Sequence, residues 1–203
     1  MPAFADIANT VAARVEGCPH GFIIEALRDT TIDFCVRTRI MTAGHVMTLD
    51  GTETPTIDFD RQVVDIIDAK VAEPGDVLIT YLNDPVADDD IETGCYVLRM
   101  AEPNAFDLLP APTVLAPVTI ELLLVIAPGP AASSVDDSVW LRHHEALRNG
   151  ALARLFDESK KPWSDPAEGA RRLGLYERAV TKTAAYEGRN RTQPGRRLRV
   201  KPV

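Results

Sequence analysis

The chain has 203 residues, 45% of them apolar and 26% charged, which is an ordinary composition for a globular protein with a sizeable core. Its longest apolar stretch, 118–127, is interrupted by polar residues and is too short for a membrane helix. The N-terminus lacks a basic segment followed by an apolar one, so we expect no cleaved signal peptide and no membrane association.

The charges are divided unevenly along the chain. The net charge is −8, but the stretch between Ile40 and Pro130 has 16 acidic residues against 3 basic ones, whereas six basic residues and no acidic one follow Gly188. An acidic middle repels nucleic acid, and a basic end attracts an acidic partner. This distribution argues against a protein whose whole folded face binds nucleic acid.

Two amphipathic helices are predicted at the start of the chain. The first covers about 4–15 and ends at Gly17, a residue that favours helix ends. The second begins near Pro19, which suits a first helical turn. Its apolar face is predicted from spacings of four, three and four residues, and contains Ile23, Leu27, Thr30 and Phe34.

After Arg39 the pattern changes to short segments rich in β-branched residues. Turn signals separate them, such as Asp50-Gly51 and the segment from Glu73 to Asp76 that contains Pro and Gly. This spacing favours an antiparallel sheet or a small sandwich. The predicted strands are 45–49, 63–71, 77–82, 94–100, 105–109 and 118–126.

Helical periodicity returns after Ser133. Ser134, with Asp137 three residues later, is a weak capping-box variant. The stripe of the helix that follows contains Trp140, His144, Leu147, Ala151 and Leu155.

A last helix has the clearest start signal in the chain. Asp165 can cap it, Pro166 fits its first turn, and Glu168 can reach back to complete a capping box. We expect this helix to end at Gly188 and the segment from Arg189 onward to be extended. Its predicted packed face contains Leu173, Tyr176, Val180 and Ala184.

These elements predict an α+β fold in three parts. Residues 1–40 and 133–188 form a helical bundle, and 41–132 form an antiparallel β-rich domain inserted between them. Residues 189–203 form an extended basic tail. Packing at the junction of the last helices is assigned to Trp140, Leu147, Leu155, Trp163 and Tyr176.

The residues that could perform chemistry do not form a known pattern. The acidic cluster Asp84, Asp88, Asp89, Asp90 and Glu92 lacks the spacing of a calcium-binding loop. His143 and His144 are adjacent, so they point about 100° apart on a helix and cannot share a metal ion. We therefore expect no catalytic residue, metal or cofactor, although a small hydrolase remains an alternative. The three cysteines, Cys18, Cys35 and Cys95, predict buried reduced thiols in a cytoplasm and no disulfide framework.

The basic tail allows three interpretations. It contacts phosphates, it docks on an acidic protein groove as an added β-strand, or it is a solvated end. Its candidate binding residues are Arg189, Arg191, Arg196, Arg197, Leu198, Arg199, Val200 and Lys201.

Several ordered motifs resemble one protein family. These are Ala26-Leu27-Arg28-Asp29 with Phe34-Cys35-Val36-Arg37-Thr38, then Trp140 with the histidine pair, then the segment from Asn149 to Leu155 and the segment from Lys161 to Pro166. Pro110-Ala111-Pro112 and the end Leu198-Arg199-Val200 complete the set. In this order they are similar to the head-to-tail adaptor (connector) proteins of short-tailed bacteriophages, although the β-rich block matches only loosely.

The resemblance implies a function as well as a fold. It implies a helical bundle with an inserted β domain, and a ring of usually about twelve copies in the virion neck between portal and tail nozzle. DNA would pass through this ring without specific binding, and assembly would take place in the bacterial cytoplasm. The tail would embed in the portal, and Asp88, Asp89, Asp90 and Glu92 would line the lumen and repel DNA. The alternative is another phage assembly module, such as a completion protein or a chaperone.

Overall fold

A computed structural model describes residues 1–50, 61–71, 77–80, 95–102, 104–109 and 117–191. The chain divides into two compact units. The helical unit contains Met1–Ile40 and the residues from Ser133 onward, and the β unit contains Met41–Ala132. The described residues therefore have an α+β fold, with the helices in one unit and the strands in the other.

The described residues of the helical unit form four helices at the places where periodicity predicts them. They are α1 (Phe4–Ala12), α2 (His20–Thr38), α3 (Asp137–Asp157) and α4 (Pro166–Arg191). The N-terminus is joined to the start of α3, since the Phe4 amide donates to the Ser133 carbonyl at 3.0 Å and the Val135 amide donates to the Pro2 carbonyl at 3.1 Å.

The predicted apolar face of α2 is confirmed, because Ile23, Leu27, Thr30 and Phe34 are all buried. Two further buried threonines satisfy their hydroxyls locally: Thr31 donates to the Leu27 carbonyl at 2.7 Å and Thr38 to the Phe34 carbonyl at 2.6 Å. The helix ends at Arg39, which has a positive φ of 55° and donates its amide to the Cys35 carbonyl at 2.8 Å.

The predicted caps of α3 and α4 were partly wrong. Asp136, not Ser134, caps α3, and its Oδ1 accepts from the Ser138 amide at 2.8 Å. Ser134 instead forms an isolated bridge with Ala3. Asp165 caps α4 as predicted, accepting from the Glu168 amide at 3.1 Å.

The carboxylate of Glu168 does not complete the predicted capping box. It accepts from Arg171 Nε at 2.7 Å and from Arg172 Nε at 2.7 Å. Two guanidinium partners within one turn stabilise a carboxylate more strongly than one backbone amide does, so Glu168 turns toward the arginines. The same hydrogen bonds hold its pKa at about 2.

The face and the end of α4 also differ from the prediction. Leu173 is 48% exposed, and the buried face is formed by Tyr176, Val180 and Thr183. The helix continues through Arg191, so the expected extended tail was wrong for 189–191. Helical propensity of Arg and backbone continuity outweigh the single Gly188. Residues 192–203 of the predicted tail lie outside the described residues.

The described part of the β unit contains the strands β1 (Thr42–Leu49), β2 (Arg61–Val71), β3 (Val77–Thr80), β4 (Cys95–Glu102), β5 (Ala105–Leu109) and β6 (Val118–Pro128). They form two three-stranded sheets. The first has the order β1-β6-β2 and is antiparallel throughout. The second has the order β3-β4-β5.

One strand pair departs from the antiparallel prediction, since β3 and β4 run parallel. A parallel pair requires a connection of about a dozen residues or more. The segment 81–94 has that length, whereas a short turn would have enforced antiparallel pairing. The other pairs in the two sheets are antiparallel as predicted.

The core of the β unit comes from both sheets. Ile120 and Leu124 of β6 and Phe106 of β5 are completely buried. Asn104, at a φ of 67°, joins the start of β5 to β2, because its side chain accepts from the Val63 amide at 2.7 Å and donates to the Arg61 carbonyl at 2.9 Å. Asparagine tolerates this left-handed conformation better than most residues.

Candidate functional site

Three helices of the helical unit meet at Gly150. A Cβ at this position would lie 2.8 Å from Cδ2 of Tyr176 on α4 and would overlap Cγ2 of Thr30 on α2. The absent side chain lets α2, α3 and α4 approach closely. Tyr176 is buried here and donates its hydroxyl to Asp33 Oδ2 at 2.6 Å, and both burial and this bond raise the pKa of the phenol.

An ion pair joins α2 to α4 beside this junction. Arg37 donates to Glu177 Oε1 at 2.8 Å and to Asp33 Oδ2 at 3.3 Å. The hydrogen bond from Arg37 lowers the pKa of Glu177. These groups border a groove of about 400 Å³. The carboxylates of Asp33 and Glu177 already accept hydrogen bonds from an arginine or a phenol. The arrangement therefore suits the attachment of α2 to α4 better than acid–base catalysis.

The outer face of α4 is basic. Arg171, Arg178, Lys182 and Arg189 are spaced seven, four and seven residues apart, and all four are exposed. That spacing places them on one side of a helix, opposite Tyr176, Val180 and Thr183. The exposed apolar residues Leu175 (37%) and Tyr186 (58%) lie on the same side. We call these six residues, Arg171, Leu175, Arg178, Lys182, Tyr186 and Arg189, the basic stripe.

The basic stripe contains no acidic residue. Glu168 offsets one of its charges, since it accepts from Arg171 at 2.7 Å. Arg189 donates Nε to the carbonyl of Ala185 at 3.1 Å. The charge of the stripe is therefore concentrated on the part of α4 that follows Leu175.

A groove of about 640 Å³ adjoins the stripe between α3 and α4. Arg142 and His143 line it from α3, and Lys182 and Tyr186 line it from α4. The His143 ring packs against Phe34 with centroids 5.0 Å apart. Burial, and then the neighbouring Arg142, lower the pKa of His143.

The two adjacent histidines diverge as expected for a helix. His143 faces Phe34 of α2, whereas His144 packs on Trp140 of its own helix at 5.7 Å. In the parts of the chain that the structure describes, no three His, Cys, Asp or Glu side chains are grouped so as to hold a metal ion.

The residues predicted to pack at the helix junction are distributed over the helical unit. Leu147, Leu155, Trp163 and Tyr176 are buried, whereas Trp140 is half-buried under the guanidinium of Arg148. Trp140 and Trp163 lie near opposite ends of α3, so they do not form one cluster.

Trp163 packs toward α2. Its ring lies 6.3 Å from that of Phe22, and Lys161 Nζ lies over both rings, 5.5 Å from the centroid of Phe22 and 5.8 Å from that of Trp163. The connection between α3 and α4 is thereby attached to the start of α2.

Several predicted site residues lie outside the described residues. They are the tail positions 196–201 and the acidic cluster 84–92. Arg189 and Arg191 lie on α4. Cys35 is buried, as predicted, and its pKa is raised to about 12 by desolvation, whereas Cys18 is partly exposed. Among the described helices, none combines the length and apolarity needed to cross a membrane.

Sequence reasoning missed two features of the helical unit. The recurrence of basic residues on one side of α4 could have been predicted from the sequence, since a spacing of seven, four and seven follows the helical period. The contact of Gly150 with Thr30 and Tyr176 had no local signal, because its partners come from two other helices.

The comparisons with known proteins agree with the resemblance stated above. The model of the SU10 adaptor protein family matches residues 2–199, which is nearly the whole chain. No curated protein matches it. The family consists of structural phage adaptors and is not an enzyme family, so its members act through contacts with other structural proteins of the virion. The two units are therefore parts of an adaptor: the chain belongs to the SU10 adaptor protein family.

Proposed function

We propose that this chain forms a ring of identical copies between the portal and the tail nozzle of a phage, with DNA passing through its centre. The observation that carries the proposal is the family match over residues 2–199, which includes both the helical and the β segments. A head-to-tail ring requires each copy to present two different surfaces. The uneven charge distribution of this chain supplies two segments of opposite charge, one acidic and one basic.

In this proposal the β unit is a domain inserted into the helical unit. The helical unit is stiffened by the contacts at Gly150 and by the Arg37–Glu177 pair, which join α2, α3 and α4. A stiff unit suits a ring that must keep its shape while DNA passes through it. We propose that the ring contains about twelve copies, as the resemblance implies.

Electron microscopy of the chain mixed with its portal tests the ring. We expect a ring of added density on the tail-facing side of the portal. A chaperone or a completion protein of another location would leave that side empty, and a portal without added density would contradict the proposal.

The tail supplies the contact with the portal in this proposal. Residues 196–201 contain four basic residues and the alternating apolar pair Leu198 and Val200, a pattern suited to strand addition on an acidic groove. A chain that ends after Arg191 should not bind the portal. As a matched control, Leu198→Ser with Val200→Ser keeps the charge; if it binds as well as wild type, charge alone carries the contact and strand addition is wrong.

The acidic segment is assigned to the lumen of the ring. Asp88, Asp89, Asp90 and Glu92 would keep DNA mobile by repulsion. Changing the three aspartates to Lys should slow DNA ejection, and changing them to Asn should slow it less. Unchanged ejection in the Lys variant would count against a lumenal position.

A further inference from the structure

Three arginines from different parts of the helical unit line one groove of about 340 Å³. Arg14 follows α1, Arg148 belongs to α3 and Arg172 belongs to α4. We call this recess the arginine groove. Among the described residues that line it, Glu145 is the one that carries a carboxylate. Positive charges gathered in one recess repel each other, so the arginine groove attracts an anion.

Two of these arginines are held in place by their neighbours. Arg172 donates Nε to Glu168 at 2.7 Å and Nη1 to the side chain of Asn149 at 2.8 Å. The guanidinium of Arg148 lies 5.5 Å from the ring centroid of Trp140, and its Nε is buried without a hydrogen-bond partner among the described residues. A desolvated guanidinium that lacks acceptors is unfavourable, and a carboxylate in the groove supplies an acceptor.

Exposed apolar side chains flank the arginines. Leu175 lines the groove from α4 and is 37% exposed, and Leu141 of α3 is 74% exposed. Leu141 precedes Arg148 by about two helical turns, so both lie on the same side of α3. Protein interfaces combine arginines with apolar anchors, whereas the phosphates of DNA offer no apolar contact. The arginine groove therefore suits an acidic protein surface.

The outer side of α2 is such a surface. Glu25 and Asp29 lie one helical turn apart on this helix, and both are exposed. They lie about 180° and about 140° around α2 from Phe34, which is buried against His143 of α3. Arg28, which lies between them in sequence, is half-buried. The two carboxylates therefore point away from the interior of the helical unit.

The arginine groove and the outer side of α2 face nearly opposite directions. The α2 helix packs on α3 where Gly150 approaches Thr30. Arg148 and Leu152, which line the groove, each lie about 160° around α3 from Gly150. The two surfaces thus lie on opposite sides of one compact unit. A ring of identical copies requires this arrangement, because each copy contacts one neighbour on each side through different surfaces.

We propose that the arginine groove of one copy receives Glu25 and Asp29 of a second copy, and that this is the contact between neighbours in the ring. The inference rests on the proposed ring and names the two surfaces that close it. Ile32, which is partly exposed on the same side of α2 as Glu25, packs against the exposed leucines beside the groove. All of these side chains belong to the helical unit.

Charge reversal on each side tests the contact. Glu25→Arg with Asp29→Arg changes two exposed residues to another good helix former and leaves the groove intact. Arg14→Glu with Arg148→Glu changes the groove and leaves α2 intact. Each pair should raise the concentration required for half-maximal ring formation on the portal by about 10-fold or more, because repulsion replaces attraction.

A chain that combines all four changes exchanges the charges of the two sides. Attraction between copies then returns, so the concentration for half-maximal ring formation should fall back toward the wild-type value. The melting temperature of each chain shows whether it is folded. If Arg148→Glu lowers it, Arg14→Glu alone and combined with Glu25→Arg gives the same comparison.

Arg178→Glu with Lys182→Glu is the matched control. It makes the same change in net charge as the groove pair, at exposed positions of α4 that do not line the groove. This control should form the ring at the wild-type concentration. An equal loss in the control would overturn the proposal, because net charge and not the groove would then be the cause.

The outcomes separate this inference from the proposed function. If wild type adds no ring to the portal, the proposed ring is wrong, and this contact with it. If wild type and the groove pair form the ring equally well, the ring stands and the groove is not its contact. If both pairs weaken ring formation and the chain with all four changes is not restored, the acidic partner of the groove lies on another protein and the proposal is wrong.

Discussion

Gly150 and Tyr176 set the spacing of the helical unit at the scale of single residues. Tyr176 fills the space beside the glycine, and its hydroxyl is satisfied by Asp33 on α2. One missing Cβ and one hydrogen bond thus determine how closely three helices pack.

Gly150→Ala should destabilise the protein by about 1–3 kcal/mol, because the added methyl group would overlap Thr30 and Tyr176 in a packed interior. Gly174→Ala is the control, since a Cβ there meets nothing within 4 Å. It should stabilise α4 by about 0.5–1 kcal/mol, because alanine favours helix over glycine. Chemical denaturation measures the free energy of unfolding of both variants. Equal effects would contradict the close approach of the helices at Gly150.

His143 confers a pH dependence on the helical unit. Its folded-state pKa lies below the ordinary value of 6.5, because burial and Arg142 disfavour the charged ring. The unfolded state therefore binds the proton more readily, so this contribution to stability is present above pH 6.5 and is lost as the pH falls through the folded pKa. The melting temperature of wild type should fall between pH 8 and pH 5.5 by more than that of His143→Gln. A parallel fall in both proteins would assign the dependence to other groups.

At the scale of elements, the start of each C-terminal helix depends on one aspartate. Asp136 caps α3 and Asp165 caps α4. Asp136→Ala should cost about 1 kcal/mol, because an orphan amide at the start of α3 loses its acceptor. Ser134→Ala should have almost no effect on the free energy of unfolding. If Ser134→Ala proved the more damaging substitution, the assignment of the cap to Asp136 would be wrong.

Trp163 attaches the α3–α4 connection to the start of α2. Trp163→Ala should destabilise the helical unit by about 3–5 kcal/mol, since the indole is 9% exposed and packs against Phe22. Leu173→Ala, at a position that is 48% exposed, serves as the control and should cost much less. Differential scanning calorimetry compares the two, and a negligible effect at Trp163 would assign it to a contact between copies.

At the scale of the whole molecule, the described core and the proposed portal contact belong to different parts of the chain. Among the described residues the last buried one is Thr183, so the described core ends before the basic tail begins. A chain ending after Arg191 should therefore keep the circular dichroism spectrum and melting temperature of the full chain. A lower melting temperature would show that the removed residues contribute to the fold as well as to the proposed portal contact.

Much of the element order was predictable because its signals are local. Three of these signals involve residues within a few positions of one another: the apolar spacing of α2, the Asp165-Pro166 start of α4 and the β-branched residues of β6. Errors appeared where two local signals competed: Ser134 against Asp136 as a cap, and Gly188 against the helical propensity of its neighbours. The basic stripe belongs to the predictable class, since it follows from the helical period alone.

The sequence by itself determined the α+β class, the separation of helices from strands, the resemblance to head-to-tail adaptors and the division of charge. Only the tertiary structure decided that β3 and β4 pair in parallel, that Gly150 lies against Thr30 and Tyr176, and that Arg37 reaches Glu177. The physical reason is the separation along the chain of the residues that produce each feature. Helical and strand periods arise from neighbouring residues, whereas each of these contacts joins separate elements and exists only once those elements have packed.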